Sequence, residues 1–223
     1  MHPAALVDKA VKLRLDIVAI CDHNSSENVR YVMRAAEDKP LVVIPGMEIA
    51  TSEEVHVLAL LPSIDNLMGL QEIVYERLPG RNDEHVFGFQ AVVNEKGEVE
   101  EINERLLIGA TEIPIGELTE VIHSFGGLAV ASHIDRESFS VISQLGFIDE
   151  GSGLDGLEIS RALRIHEARR RYPELSHYPF LTSSDAHCLA DIGAAATVML
   201  LEAGTFEEVK MGVLHKEGRC IVG

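Results

Sequence analysis

The chain has no tryptophan, three cysteines, no apolar run near membrane length and only about half as many basic as acidic side chains. Cys21, Cys188 and Cys220 are scattered and odd in number, which argues against a disulfide framework or a structural zinc knuckle and fits a reducing cytoplasm. No stretch approaches the ~20 apolar residues of a membrane span, and no charged segment leads into an apolar one as in a secretory signal. Neither membrane nor export is therefore expected. Lys plus Arg number 19 against 36 Asp plus Glu, a formal charge of −17, and such a surface repels a long nucleic-acid track unless metals or a local patch intervene. Histidine and apolar side chains are what the chain has in quantity: ten His in 223 residues and 46% apolar content. That suits one large α/β domain over residues 1–223 with a sizeable core, not a disordered chain.

Strand and helix patterns alternate. A helical stripe over 3–13 precedes a short apolar strand, Asp16–Ile20, and Ser25 or Ser26 is a suitable N-cap for a helix to about Glu37. A strand over Leu41–Ala50 and a second opening at His56 flank the polar turn Thr51–Glu54, and a helix follows Pro62. Within 81–113, Val86–Asn94 and Val99–Leu107 flank the turn Glu95-Lys96-Gly97-Glu98 and predict a protruding, inserted β-hairpin. Pro114 starts a helix closed by Gly126-Gly127, and a strand over 128–132 follows. Beyond lie a helix over 138–146, a strand over 154–159, a basic helix over 161–172 and strands over 180–183 and 195–201. A helix over 206–214 and a strand over 219–222 complete the chain. The alternation points to a mostly parallel sheet or barrel.

Six side chains then stand out. His23, Glu48, His133, Asp185 and His187 lie at or just past the ends of apolar runs, the edge at which a barrel collects its chemistry. His56 alone opens its run, as it would on a strand running against its neighbours. Four imidazoles and two carboxylates suit zinc, manganese or iron, and the two oxygens of Glu48 allow it to bridge two ions. Two ions a few Å apart turn a shared water into hydroxide near neutral pH and clamp a phosphoryl oxygen. Arg136, three residues after His133, and Arg161, which heads a basic run through Arg171, are the candidates to hold a substrate phosphate. Asp22 is placed to orient His23, Glu158 reads as a supporting carboxylate, and Cys21 is expected to face the core.

The fragments CDHN at Cys21–Asn24, PGMEIAT with EEVHVLAL between Pro45 and Leu60, ASHID at Ala131–Asp135 and SSDAH at Ser183–His187 resemble four motifs of the PHP (polymerase and histidinol phosphatase) domain family. The resemblance spans nearly the whole chain, hairpin included. It implies a distorted (β/α)7 barrel with an inserted β-hairpin and a centre of two or three divalent ions held by His23, Glu48, His56, His133, Asp185 and His187. It also implies metal-dependent hydrolysis of a small phosphomonoester, a nucleotide or an oligonucleotide end, with Glu48, Asp185 and His187 nearest the reaction. The family includes phosphatases and proofreading exonucleases. Its first strand carries a His-x-His pair that this sequence lacks, so the first strand is expected to be missing here. By the same resemblance the absent pair would share an ion with Glu48 and Asp185, and a third ion would use His23 and His187. The site of Glu48, His56 and His133 would keep all its protein ligands. Two other readings remain: a catalytically impaired metal-binding remnant or interaction module, and a carbon–nitrogen hydrolase of the amidohydrolase kind, whose lysine signature is not found. Oligomeric state and native metal do not follow from the sequence.

Overall fold

The computed structural model describes residues 1–222. Helix α1 (Pro3–Lys12) leads into β1 (Ile17–Ile20), α2 (Val29–Ala36), β2 (Val42–Ala50), β3 (His56–Leu60) and α3 (Ile64–Glu76). The inserted segment holds α4 (Glu84–Phe87), β4 (Ala91–Val93) and β5 (Val99–Ile102). Then come α5 (Ile115–Ser124), β6 (Leu128–Ala131), α6 (Val141–Leu145), β7 (Gly156–Ile159), α7 (Ile165–Arg171) and β8 (Phe180–Thr182). Strand β9 (Met199–Leu200), α8 (Phe206–Val213) and β10 (Cys220–Ile221) close the chain. The main sheet runs β1-β2-β3-β6-β7-β8 and curls into a half-barrel of six strands, in keeping with the expected seven-stranded barrel lacking its first strand. All its neighbours are parallel except at β3, which runs against both β2 and β6. Among the described residues, no helix is long and apolar enough to cross a membrane.

The two-residue period of the strands sorts side chains onto two faces. Met47, Ile49, Val57, Ala59, Ala129, Ala131, Leu157 and Ile159 join one core, which also takes in Leu6 and Val7 of α1, Val29 and Val32 of α2, Leu67, Leu70 and Val74 of α3 and Leu118 and Ile122 of α5. The intervening residues line the concave face in layers set by the register. Ile44, Leu60 and Leu128 pack on Phe206, Val209 and Val213, so α8 stoppers the floor. In register, Cys21 lies beside Gly46, which faces Leu60 and through it Leu128. One layer up come His23, Glu48, Leu58, Val130 and Gly156, and above them, at the rim, His56 faces Ala50 with Ser132 and Glu158 continuing the alternation. Gly46 cannot carry a side chain, because a Cβ there would meet the Cys21 Sγ at 2.6 Å.

Several element ends differ from the sequence pattern for local reasons. Helix α2 starts at Val29, since the candidate caps are engaged elsewhere: the Ser26 amide and hydroxyl both donate to Gln71 Oε1 at 2.7 and 2.6 Å, and the Ser25 hydroxyl pairs with that of Tyr75 at 3.0 Å. The first half of the predicted hairpin strand is the helical turn α4, capped by Asp83 and ended by Gly88 at φ 78°. Helix α6 is confined to Val141–Leu145 by the Ser140 cap that follows Phe139 at φ 58°. The basic helix is shortened to Ile165–Arg171 and the strand over 195–201 to two residues.

The hairpin is not a free projection. Val93 donates to Asn28 Oδ1 at 2.9 Å, and Asn103 Nδ2 reaches both Glu27 and the Tyr75 hydroxyl at 2.8 Å. Burial pushes that hydroxyl up to about 12, so it keeps its proton. Arg105 lies over the Tyr75 ring, 4.0 Å from its centroid. Buried Asn24 completes the tie: its Nδ2 donates to Leu107 O at 2.9 Å and Gly109 O at 2.7 Å, while its Oδ1 accepts from Ala50 N at 3.0 Å. Asn24 also has φ 47°, a region asparagine tolerates better than alanine. Replacing Asn24 by Ala removes the partner of one buried and two half-buried backbone groups and strains the turn. We expect a loss of about 2 kcal/mol or more, read as a lowered urea midpoint; an unchanged midpoint would show that the tie contributes nothing.

Candidate metal centre

The parallel strands bring His23, His133, Asp185 and His187 to one edge by their ends, and the reversed β3 brings His56 there by its beginning. In register, His56 faces Ala50 and His23 bridges Glu48. Glu48 is buried among three imidazoles. Its Oε1 lies 3.2 Å from His56 Nδ1 and 3.4 Å from His133 Nε2, and its Oε2 lies 3.5 Å from His23 Nδ1. Ring centroids of His23 and His56 are 5.1 Å apart, and those of His56 and His133 are 5.5 Å apart. Possible ligand atoms of His23, Glu48 and His56 all lie within 4.8 Å of one another. His133 approaches the same carboxylate oxygen as His56.

Asp185 and His187 form an outer lip. His187 is exposed, its Nδ1 3.7 Å from Asp185 Oδ1 and its ring 6.1 Å from that of His23. Arg136 Nη2 meets Asp185 Oδ2 at 2.5 Å. All six candidate ligands line one cavity of about 260 Å³ together with Arg136, Ser138, Phe139 and Ile108. Arg161 does not line it. Its guanidinium is exposed and bound to Asp191 at 2.8 Å, apart from the residues that line the cavity. His133 (φ 30°) and Asp185 (φ 43°) both sit in left-handed backbone, a cost that non-glycine residues bear most often at functional sites.

Burial alone would raise the Glu48 carboxyl. Hydrogen bonds from His133 and His56 and the charges of His23 and His56 outweigh it, and the group is held well below the usual carboxylate range. Burial lowers His23 against the opposing pull of Glu48, favouring the neutral, ligating form. Glu158 is pushed up by burial and by the Glu48 charge, and it accepts from the Ser183 hydroxyl and from His133 N at 3.2 Å, so it braces the His133 backbone. Cys21 is raised well above its ordinary value by burial, then by the charges of Glu48 and Glu158, and stays a thiol packed under the rim. Asp22 does not orient His23; its exposed carboxylate takes Asn28 Nδ2 at 3.3 Å.

The donor set fits a divalent ion. Two ligands ~2.0–2.1 Å from a tetrahedral zinc are themselves about 3.3 Å apart, which is the spacing between the Glu48 oxygens and their three nitrogens. The spacing is long for charge-assisted hydrogen bonds, which run to about 2.7–2.9 Å. Beside them, His133 Nδ1 and Ser132 Oγ are buried without a partner. Sequence reasoning passed over Phe139 and Ile108 as pocket walls and Asn24 as the brace behind His23; only the motif position of Asn24 hinted at a role.

No family profile matches the chain. A Bacillus subtilis protein, the uncharacterised YqxK, is 28% identical over 110 residues, which is 47% of this chain and 28% of that one. Among solved structures, the lesion-specific endonuclease PfuEndoQ of Pyrococcus furiosus superposes with a TM-score of 0.70 at 16% identity, covering 98% of this chain and 52% of that one. A Bifidobacterium adolescentis protein assigned as a metal-dependent phosphoesterase gives 0.56 at 20% identity, over 83% and 82% of the two chains. An amidohydrolase of Chromobacterium violaceum gives 0.55 at 14% identity, over 86% and 85%. The chain thus spans about half the length of the endonuclease and a smaller share of the Bacillus relative. It has the fold of the PHP-like metal-dependent phosphoesterases.

Glu48→Gln removes the one buried charge that three imidazoles face. We expect metal content after dialysis against manganese or zinc to fall by at least about tenfold; unchanged content would refute the assignment. In chelator, the ionised Glu48 contributes stability above its unfolded value of ~4.3, and that contribution is lost as pH falls toward the depressed folded value. The stability gap between the native chain and Glu48→Gln should therefore close on acidification, as measured by urea unfolding; a gap that widens would contradict the sign.

Proposed function

We infer that this chain is a metal-dependent phosphoester hydrolase acting on a small phosphomonoester, a nucleotide or an oligonucleotide end. The observation that carries the reading is the division of the Glu48 carboxylate, one oxygen toward His56 and His133 and the other toward His23, in a cavity that also holds Arg136. Glu48, His56 and His133 would hold one ion, with His23, Asp185 and His187 lining the solvent side for another. Manganese, zinc and iron all suit these donors. When bound, such ions supply a hydroxide near neutral pH and a positive clamp for phosphoryl oxygens.

The protein side chains do the rest. Glu48 stays ionised at the bottom of the cavity and brings negative charge to the ions without needing a proton. Glu158 holds His133 by its backbone, so that ring meets Glu48 at a constant angle. Arg136, held against Asp185 at the mouth, receives the substrate phosphate through its planar fork. Phe139 and Ile108 add apolar wall to the cavity. Glu48, Asp185 and His187 are the residues nearest the reacting phosphoryl group on this reading.

One solved neighbour of this fold is an endonuclease captured with a 27-mer duplex bearing an abasic lesion at its active site. The charge of −17 opposes a long nucleic-acid track on this chain and leaves a nucleotide or strand end as the compatible form. The reducing, cytoplasmic setting belongs to the same proposal. A catalytically impaired metal-binding module is the second reading, favoured by one observation: Asp185 is engaged by Arg136 and His187 is exposed, so only the inner four groups are tightly assembled.

Loading the chain with manganese, zinc or iron and assaying phosphomonoesters and nucleotides separates the two. Metal binding with no hydrolysis of any substrate would leave the module reading and sink the hydrolase. In the active case, Arg136→Ala should raise KM about 10- to 100-fold, the value of a lost charge-assisted contact, and lower kcat less. Arg136→Lys should recover part of the loss; a KM unchanged by Arg136→Ala would remove Arg136 from the substrate site.

A further inference from the structure

Phe139 is an aromatic residue where folding alone gives little reason for one. It is 42% exposed, it lines the cavity, and its backbone is left-handed at φ 58°. One face of its ring lies on the His56 imidazole, with centroids 4.7 Å apart and planes 10° from parallel. The backbone is pinned as well: His56 N donates to Phe139 O at 2.9 Å, and the Ser140 hydroxyl donates to Arg136 O at 2.8 Å. His56 covers one face of the ring and the backbone is held from both sides, so a flat ligand in the cavity that Phe139 lines has only the opposite face to meet. The same loop, 133–140, carries Arg136 into that cavity, and exposed Ile108 supplies apolar wall from the end of the inserted segment.

We propose that the free face of Phe139 stacks a planar ring carried by the substrate, making this site selective for mononucleotide-like phosphomonoesters over ringless ones. The proposal rests on the phosphoester reading of the same site and adds the substrate class to it. Stacking on an aromatic platform is tolerant of the base and does not need a basic groove. That matters in an acidic chain, which has no general electrostatic means of gathering a nucleotide. The cavity volume, about 260 Å³, lies just under the ~300 Å³ at which ligand pockets usually begin. It suits one ring and its phosphate, not a stacked pair of nucleotides. Because the platform is built on His56, the ring would be held beside the proposed ligand layer, with its phosphate toward Arg136.

Equilibrium binding by the manganese-loaded chain tests this directly, with adenosine 5′-monophosphate and glycerol phosphate as probes. We expect the native chain to prefer the adenosine compound. Phe139→Ala and Phe139→Leu should weaken adenosine 5′-monophosphate binding by about tenfold and leave glycerol phosphate within about twofold, while Phe139→Trp keeps the preference. Manganese content, measured on each variant, should be unchanged. Equal losses for both probes, or a fall in metal content with Phe139→Leu, would show that Phe139 acts through His56 and would overturn the proposal. So would a native chain with no preference between the probes. If ring-selective binding is found but nothing is hydrolysed, the hydrolase reading fails and the stacking site stands; if hydrolysis is found without ring selectivity, the reverse holds.

Discussion

A carboxylate buried at the rim of the half-barrel is the constraint to which the rest of the structure answers. Glu48 is only 6% exposed. Ionised in such a place without compensation it would cost far more than a domain of this size can bear. The three imidazoles that surround it come from three different strand ends, and their convergence requires the odd topology of the sheet. Had β3 run parallel to its neighbours, His56 would stand at the floor beside Leu60's present position, among Ile44, Leu128 and α8. The reversal of a single strand thus converts an ordinary parallel rim into a ring of donors. The ring leaves spacings that hydrogen bonds fill poorly and an ion fills well.

Around that ring the backbone is held in conformations that residues other than glycine avoid. Asn24, His133, Phe139 and Asp185 all have positive φ, and each belongs to a loop that leaves a strand at the rim or walls the cavity. Strain of this kind persists only where the surroundings over-determine it. Here the surroundings can be named: Asn24 is tied to three backbone groups, His133 to Glu158, and Phe139 to His56. The inserted segment takes part in the same bracing. It reaches the barrel through Asn24, Glu27, Asn28 and Tyr75, and at its far end delivers Ile108 to the cavity.

Electrostatics divides the site into an inner and an outer part. Inside, contact with the imidazoles holds Glu48 in its charged form against burial, and burial favours the neutral form of His23 against the pull of Glu48, the states in which each gives electrons to a cation. Outside, Arg136 and Asp185 are paired in partial contact with water, and Arg161 pairs with Asp191 further out. Both arginines are matched by carboxylates, and of the two only Arg136 lines the cavity.

Much of this was legible without coordinates. Apolar runs mark strands, and the points where they stop mark the rim, so the placing of His23, Glu48, His133, Asp185 and His187 at strand ends, and of His56 at a strand start, could be read from order along the chain. Donor chemistry then narrowed the partner to a divalent ion, because coordination selects residue types regardless of fold. The start of α2 departs from the local pattern because Ser25 and Ser26 bond to Tyr75 and Gln71, some 45 to 50 positions away. Phe139 carried no local signal at all, since its partner His56 lies 83 positions earlier and a phenylalanine in a loop has no pattern of its own. The sequence by itself determined which atoms could bind an ion and at which edge they gather. Only the tertiary structure decided which oxygen of Glu48 faces which ring, that Arg161 stands aside, and that Phe139 lies on His56 while lining the cavity. Distances between side chains depend on the curl of the sheet and the return of distant loops, and no local periodicity encodes either.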